Sequence, residues 1–345
     1  MSPFIRGIFC GLLFVFCLPL TGQDNEKIDD YLQSVIAAHE VPGMAVAVVK
    51  GDRVIYENYF GLAELNHRVP VSEQTIFRVY STTKVLVAMA IFQLEEKRKL
   101  RVEDPIGKYL TDLPEAWNDR KIKDLLAHSS GLPNFLDFEK GITTEDMIAQ
   151  LAAEPIIFAA GEHYVYNQTN YWLLGRIIEQ ASGLSLEAFV TQYQLGGTRE
   201  GFAFSSNARL VSPNRTGQYF KSAEGWLLSI DEAEEYAHAA NGLAISLPTF
   251  IAWAKRLHAG ELLGEAHLSK LISPYTFKNK ESEFFHGWGS YPIKNQRSAG
   301  FTGGWVSGYR YFPAQDMSVI YLSNGLRYLP VHNTVIDHVA GIVDS

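Results

Sequence analysis

Strand-like patterns lie near the two ends of this 345-residue sequence, and a long helical stretch separates them. Near the N-terminus, Met44 to Val49 is typical of a buried strand, Gly51-Asp52 of a two-residue turn, and Arg53 to Tyr59 of an alternating partner strand. Strand patterns return only late, from Gly287 onwards. Strands at both ends with helices between them favour one sheet that the two ends share.

The remaining elements follow from periodicity and from Gly, Pro and Asn boundaries. Late strands are predicted at Gly287 to Ile293, Arg297 to Phe301, Ser307 to Phe312 and Met317 to Leu322. Helices are predicted at Ile28 to His39, Thr82 to Glu96, Ile122 to Ala127, Thr144 to Ala153, Asn170 to Ser182 and Thr334 to Val343, with a short one from Asp104-Pro105.

These patterns predict an α/β (α+β) fold in which an antiparallel sheet is flanked by helices and a mostly helical lobe is inserted. Residues 23–85 and 240–345 are predicted to form the sheet-containing lobe, and 86–239 the helical lobe. Ligands tend to bind where two such lobes meet.

The first 22 residues have the anatomy of a secretory signal peptide. Arg6 supplies a positive charge, Gly7 to Leu20 is almost entirely apolar, and the small pair Thr21-Gly22 precedes polar residues. A membrane anchor is the alternative, but the apolar run is shorter than the roughly 20 residues that a spanning helix needs. We therefore expect cleavage and an exported, periplasmic or secreted bacterial protein with no stable membrane span. Cleavage would remove Cys10 and Cys17, so disulfides, thiolate metal sites and a cysteine nucleophile are excluded.

The net charge and the motifs of the sequence argue against several classes of binding partner. A formal net charge of −8 argues against nucleic-acid binding, which needs a concentrated basic surface. The histidines show no metal-ligand spacing, and Gly303-Gly304 is not followed by the lysine of a phosphate loop. No metal or organic cofactor is implied, and a small-molecule substrate is expected.

Ser81-Thr82-Thr83-Lys84 is the only Ser-x-x-Lys in the chain. An extended approach precedes it and an apolar helix follows, which places Ser81 at a helix N-terminus and Lys84 one turn later on the same face. A serine hydroxyl needs a base before it becomes a good nucleophile. A lysine desolvated one turn away favours its neutral form and can be that base. A capping serine beside a lysine that reaches solvent is the structural alternative.

In this context the chain resembles the serine β-lactamase and penicillin-binding superfamily. The resemblance is closest to the branch of class C β-lactamases, D-aminopeptidases and esterases. The landmarks are the segments 43–48 (GMAVAV), 81–84 (STTK), 124–133 (DLLAHSSGLP) and 166–175 (YNQTNYWLLG), in the family's order. The similarity runs from about residue 28 to about 324 and implies a β-lactamase/transpeptidase-like fold with an acyl-serine intermediate.

The resemblance assigns roles to a second motif. The family's Tyr-x-Asn corresponds to Tyr166-Asn167-Gln168, with glutamine in place of asparagine. It implies that Tyr166 bonds Lys84 and carries the proton from serine to leaving group. A neighbouring ammonium is expected to lower the pKa of Tyr166 from about 10. The Gln168 amide still donates and accepts hydrogen bonds, from one methylene further out.

The family's third motif is usually Lys-Thr-Gly or His-x-Gly, and the corresponding residues are Phe301, Thr302 and Gly303, followed by Gly304. The glycines fit a backbone that substrate approaches closely. The resemblance implies an oxyanion hole made by the amides of Ser81 and Gly304. Phe301 supplies neither charge nor a hydrogen bond, which argues against β-lactamase activity more than against hydrolysis.

Three functions remain open. The first is a general serine hydrolase acting on esters or small peptides, including D-amino-acid peptides of the cell wall. The second is a true β-lactamase or D,D-carboxypeptidase, and the third is a non-catalytic binding protein that keeps the fold. Arg310 is a candidate to replace the missing cation, and His128 is interpreted as structural because no Gly-x-Ser-x-Gly elbow accompanies it.

Overall fold

The structure, a computed structural model, describes residues 22–137, 143–205, 207, 209–230, 235–279, 284–293, 296–326 and 331–343. Apart from Gly22, the predicted signal peptide lies outside the described residues, as do Cys10 and Cys17.

The described strands and helices are as follows. The strands are β1 (Gly43–Lys50), β2 (Arg53–Glu64), β3 (Val69–Pro70), β4 (Ile76–Arg78), β5 (Phe202–Phe204), β6 (Tyr219–Ser222), β7 (Gly225–Leu228), β8 (Leu243–Ser246), β9 (Gly289–Ser290), β10 (Ala299–Gly303), β11 (Ser307–Phe312) and β12 (Met317–Ser323). The helices are α1 (Gly22–His39), α2 (Thr83–Glu96), α3 (Ile122–Leu126), α4 (Thr144–Ala153), α5 (Gln168–Ser182), α6 (Leu186–Tyr193), α7 (His238–Asn241), α8 (Leu247–His258), α9 (Glu265–Leu271) and α10 (Val331–Val343).

A seven-stranded sheet in the order β3-β2-β1-β12-β11-β10-β9 joins the two ends of the chain. Its neighbouring strands are antiparallel, and β1 pairs with β12 in the register that places Ala45 opposite Leu322. The predicted fold class is thereby confirmed as mixed α/β with a large antiparallel sheet flanked by helices. The lobe boundaries at 85/86 and 239/240 stay a prediction.

Both faces of the sheet are covered, and β1 shows how. Its side chains alternate between two cores because successive strand residues point to opposite faces. Ala45, Ala47 and Val49 join the large core that contains α2 and α8. Met44, Val46 and Val48 join the smaller core under α1 and α10. A strand buried on both faces reads as a continuous apolar run, as this one does.

Helix α2 runs through the middle of the large core. Every residue from Thr83 to Leu94 is buried, and its apolar residues are distributed all round the helix. A helix that is apolar on all sides belongs in a protein interior. This position carries Lys84 into the core and leaves Ser81 at the point where the chain enters it.

A second, three-stranded sheet in the order β4-β8-β5 was not anticipated. The prediction that strands return only from Gly287 is wrong, since β5 to β8 lie well before it. These strands are only three or four residues long: β5 and β8 pair with segments distant in the chain, and β6 and β7 pair with each other as a short hairpin. Conversely, the strand predicted at Gly287 to Ile293 is reduced to the two residues of β9.

Among the described helices, none is long and apolar enough to cross a membrane.

Candidate active site

Ser81 lies in a short 3₁₀ turn, Tyr80–Thr82, immediately before α2. It therefore precedes the helix rather than beginning it. Tyr80 has a φ of +46°, a conformation that is costly for a residue other than glycine and is found mainly at functional turns. The turn is held against the main sheet, because the Thr82 and Ser307 hydroxyl groups are 2.8 Å apart. The side chain of Ser81 remains partly exposed.

Lys84 is 0% exposed, and its amine contacts three oxygen atoms. Nζ lies 3.1 Å from Ser81 Oγ, 2.8 Å from Gln168 Oε1 and 2.7 Å from the carbonyl oxygen of Ala240. Burial holds the pKa of the Lys84 amine well below its usual range, because no water remains to solvate an ammonium. In the part of the chain that the structure describes, none of these partners is a carboxylate.

The three partners fit a neutral amine. A neutral amine has two N–H donors and one lone pair. Gln168 Oε1 and the Ala240 carbonyl can only accept, so they take the two N–H groups. Ser81 Oγ, 3.1 Å from Nζ, is the partner that can also donate, so its hydroxyl is able to give its hydrogen to the lone pair of a neutral amine. The arrangement thus presents a base to the serine proton.

Tyr166 approaches Ser81 from the other side. It lies in the loop before α5, and its hydroxyl is 2.6 Å from Ser81 Oγ. Desolvation raises the pKa of Tyr166, although the side chain is 37% exposed overall, and it outweighs the hydrogen bonds to Ser81 and Gln168, which lower the pKa. The expected lowering by a neighbouring ammonium is absent, and the raised pKa favours the protonated phenol.

Gln168 replaces the asparagine of the Tyr-x-Asn motif, and its side-chain amide still reaches Lys84. It is the first residue of α5, and Asn167 before it caps the helix by accepting from the Thr169 N–H. Its Oε1 takes one Lys84 hydrogen at 2.8 Å, and its Nε2 lies 3.4 Å from the Tyr166 hydroxyl. The additional methylene therefore does not remove the amide from the cluster.

His128 is closer to the site than its interpretation as structural suggested. Its ring centre lies 4.5 Å from that of Tyr166, and its Nδ1 accepts from the Asn167 N–H at 3.1 Å. Desolvation first, and the nearby Lys84 second, lower the pKa of His128 well below its usual range. The ring fixes the loop that carries Tyr166, and it makes no hydrogen bond to Ser81 in the described chain.

The Ala240 carbonyl was missed altogether, since backbone acceptors leave no sequence signal.

Strand β10 forms the opposite wall. A Cβ added to Gly303 would lie 1.9 Å from the Val79 carbonyl oxygen and 2.8 Å from the Ser81 nitrogen, so only glycine allows this approach. Gly304 has a φ of +54°. Within the described residues, the N–H groups of Ser81 and Gly304 donate to no backbone acceptor, which leaves both available to an oxyanion.

Phe301 and Thr302 differ in how they face this wall. The buried Phe301 ring lies 5.7 Å from Lys84 Nζ and 6.1 Å from the Tyr166 ring. Thr302 is paired with Gly308 across the sheet, and its hydroxyl makes no hydrogen bond to the Ser81 cluster among the described residues. The structure thus brings Ser81, Lys84, Tyr166 and Gln168 together, adds Phe301 as an apolar side, and leaves Thr302 at the margin.

Comparison with known proteins agrees with this geometry. The beta-lactamase family profile matches residues 28–342. The chain belongs to the beta-lactamase family. It is 28% identical over 321 residues to penicillin-binding protein 4* of Bacillus subtilis, a match that covers 83% of this chain and 68% of that protein. The flp protein of Staphylococcus aureus is 25% identical over 185 residues, a match that covers 51% of this chain and only 37% of that protein.

Solved structures of the beta-lactamase family share the fold at low identity. The D-amino acid amidase of Ochrobactrum anthropi, complexed with L-phenylalanine amide, superposes with a TM-score of 0.77 at 18% identity, over 92% of this chain and 99% of that one. A class C beta-lactamase in complex with cefoxitin gives a TM-score of 0.75 at 21% identity, over 92% and 98%. These similarities establish the fold.

Arg310 does not supply the cation that this member of the beta-lactamase family lacks at Phe301. Arg310 is in register with Gly300, one residue before Phe301, so it points to the other face of the sheet. Its guanidinium stacks 3.3 Å from the centre of the Tyr291 ring and donates to Asn333 at the start of α10. The Phe301 position is therefore apolar, with no compensating charge from Arg310.

Proposed function

We propose that this protein is a serine hydrolase that cleaves an ester or amide through an acyl-Ser81 intermediate. Neutral Lys84 accepts the serine proton as Oγ attacks the carbonyl carbon. The N–H groups of Ser81 and Gly304 stabilise the oxyanion. Tyr166 donates its proton to the leaving group and regains one from the Lys84 ammonium. Water then attacks the acyl-enzyme with Lys84 again as base, which releases the acid and restores Ser81.

The buried amine carries this proposal. Among the described residues, its only hydrogen-bond partner that can also donate is the hydroxyl of a partly exposed serine, 3.1 Å away. A lysine buried without a carboxylate lowers stability, and such an arrangement is expected where a base is needed. A non-catalytic protein that keeps only the fold would gain nothing from it.

The apolar side at Phe301 favours small esters and peptides, including D-amino-acid peptides of the cell wall, over β-lactams. In β-lactam-active relatives a cation or donor at this position helps to engage the substrate carboxylate. A β-lactamase or D,D-carboxypeptidase is the second candidate, because Ser81 and Lys84 are intact and the relatives include a penicillin-binding protein.

Intact mass measurement tests both. The protein is incubated separately with a penicillin and with a fluorophosphonate, and Ser81→Ala is treated identically. We expect a fluorophosphonate adduct on the native protein that the variant lacks. A stable or transient penicillin adduct instead would favour the second candidate. No adduct from either reagent on a folded protein would contradict the hydrolase and favour the binding protein.

We further infer export after removal of residues 1–22, from the signal-peptide pattern. N-terminal sequencing of the protein made in a bacterial host tests this. A mature N-terminus near Gln23 is expected, and a chain that retains Met1 would contradict it.

A further inference from the structure

A cavity of about 370 Å³ is lined by Tyr80, the residue before Ser81, and by several arginines. Its described lining includes Arg78, Arg209 and Arg215 and no aspartate or glutamate. The whole chain carries a formal charge of −8, so a local cluster of this kind stands out against an otherwise acidic protein. A cavity lined by one sign of charge attracts ligands of the opposite sign.

Arg78 is buried in this cavity and forms no ion pair with an aspartate or glutamate among the described residues. The residue is 7% exposed, lies on β4, and its guanidinium stacks 4.2 Å from the centre of the Tyr80 ring. Its Nε has no hydrogen-bond acceptor among the described residues. Desolvation, followed by the positive charge of Arg78, lowers the pKa of Arg215, which shows that the two guanidinium groups are close. A buried guanidinium that is unpaired costs free energy, and a bound anion would recover it.

Gln218 faces the same cavity with an unsatisfied amide. It is 6% exposed, and neither its Nε2 nor its Oε1 has a hydrogen-bond partner within the described chain. The Ser205 hydroxyl, also in the lining, is similarly without a partner there. Buried polar groups are normally hydrogen-bonded, so several such groups around one cavity point to a ligand.

Tyr80 connects this cavity to Ser81. Its ring lines the cavity, and the next residue in the chain is the nucleophile. The same ring packs on Gly304, because a Cβ added there would lie 2.6 Å from Tyr80 Cδ2. Arg78 and Gly304 therefore both contact the Tyr80 ring, which links the cavity to the proposed oxyanion site.

We propose that this cavity is a subsite for a carboxylate of the substrate, recognised by the Arg78 guanidinium with the Gln218 amide as a second donor. The proposal rests on the proposed hydrolase function and specifies its substrate class: esters or amides that carry a free carboxylate. In this assignment Arg78 supplies the positive charge that is absent at Phe301. Guanidinium groups suit carboxylates because their two parallel N–H groups match the two oxygens.

Paired esters that differ only in charge test the subsite. Mono-p-nitrophenyl adipate and its methyl ester place the carboxylate in the acyl part. 3-Acetoxybenzoate and its methyl ester place it in the leaving group. We expect kcat/KM for the acid to exceed that for the methyl ester by about tenfold or more in one pair, the effect of one charge-assisted hydrogen bond. Arg78→Met should reduce this ratio by about tenfold.

Matched control variants distinguish loss of the subsite from a general effect of net charge and from misfolding. Arg53→Met makes the same charge change at an exposed position on β2 and should leave the ratio and both rates unchanged. Arg78→Lys keeps the charge without the paired N–H geometry and should retain part of the preference. If Arg78→Met fails to fold, Gln218→Leu replaces it, and a smaller loss of the same ratio is expected.

The outcomes distinguish this subsite from the hydrolase itself. Hydrolysis of both methyl esters with acid-to-ester ratios near one overturns the subsite and leaves the hydrolase standing. If no ester is hydrolysed, the proposed function fails, and binding decides the subsite. Calorimetry then compares monomethyl adipate with dimethyl adipate on Ser81→Ala and on Ser81→Ala/Arg78→Met. Preference for the acid that Arg78→Met removes supports an anion site, and equal binding overturns it.

Discussion

Two serine clusters in this protein have similar hydrogen bonds and different surroundings. The first joins Ser81 to Lys84 and Tyr166. In the second, His258 lies between Ser318 and Asp316, with Nε2 2.9 Å from Ser318 Oγ and Nδ1 2.6 Å from Asp316 Oδ1. The second set has the serine, histidine and aspartate of a protease triad, in the order of contacts that a triad uses.

Exposure separates the two clusters. Ser318 is 0% exposed on β12, and its hydroxyl also lies 2.8 Å from the Tyr309 hydroxyl. The contacts therefore tie the end of α8 to β11 and β12, with no space for a substrate carbonyl. Ser81 is partly exposed, and its base Lys84 is buried in the core. Within the described chain, the N–H groups of Ser81 and Gly304 have no backbone acceptor. Hydrogen bonds alone do not identify a nucleophile; an open face and oxyanion donors are also required.

The largest effect should come from exchanging the two serines for alanine. Ser81→Ala removes the nucleophile, and we expect hydrolysis of an activated ester to fall by about three orders of magnitude or more. Ser318→Ala removes one buried hydroxyl, so activity should stay within about twofold while the free energy of unfolding falls by about 1–2 kcal/mol. Steady-state kinetics and urea unfolding measure both. Ester turnover that depends on Ser318 would reverse the assignment.

The second-largest effect is expected for Lys84→Met, which should lower activity while raising stability. Lys84→Met removes the base and should lower kcat by about two to four orders of magnitude. It also removes an amine whose burial opposes protonation, so the free energy of unfolding at neutral pH should rise by about 1 kcal/mol.

His258→Gln is the matched change in the second cluster and should have the opposite profile. Loss of its two ring contacts should lower stability by about 1–3 kcal/mol with activity retained. A Lys84→Met protein that is both inactive and less stable than the native one would indicate that Lys84 is a structural residue.

The next prediction is that the pH dependence of kcat/KM reflects the protonation of Lys84. Since only the neutral amine accepts the serine proton, kcat/KM should fall about tenfold per pH unit below the lowered pKa of Lys84 and level off above it. The raised pKa of Tyr166 predicts no loss of activity from phenol ionisation in the neutral range.

Stability follows the same titration. Between the lowered pKa and the ordinary lysine pKa near 10.4, the unfolded chain binds the additional proton, so stability rises with pH across that window. Lys84→Met should lose this slope. An unchanged slope in the variant would assign the titration to another group.

Much of the fold could be predicted because its signals are local. The buried run at 44–49, the turn at Gly51-Asp52 and the apolar helix after Ser81 each appear in a few consecutive residues. Strands β5 and β8 could not be predicted in this way, since each is three or four residues long and exists through pairing with the other. Short strands take their identity from partners distant in the chain.

In the candidate site, too, the features with local sequence signals could be predicted, and those that depend on distant contacts could not. Ser81 and Lys84 share one helical turn, so their spacing is readable from the sequence. The direction of Arg310 could not be read, because it depends on the register of β11 against β10. The direction of the pKa shift of Tyr166 was also expected wrongly, since desolvation of the phenol raises its pKa. The spacing of two residues in the sequence does not show how deeply their side chains are buried.

The smallest effect concerns the outer member of the second cluster. The Asp316 side chain is 56% exposed, and its contact with His258 is therefore screened by water. Asp316→Asn keeps an acceptor oxygen for the His258 N–H, so we expect the free energy of unfolding to change by less than about 1 kcal/mol and ester hydrolysis to be unchanged. In a catalytic triad the same exchange imposes the wrong histidine tautomer and lowers kcat by about 10⁴. A loss of that size in Asp316→Asn would show that the buried Ser318 cluster takes part in chemistry, and a negligible loss leaves Ser81 as the sole nucleophile of the two.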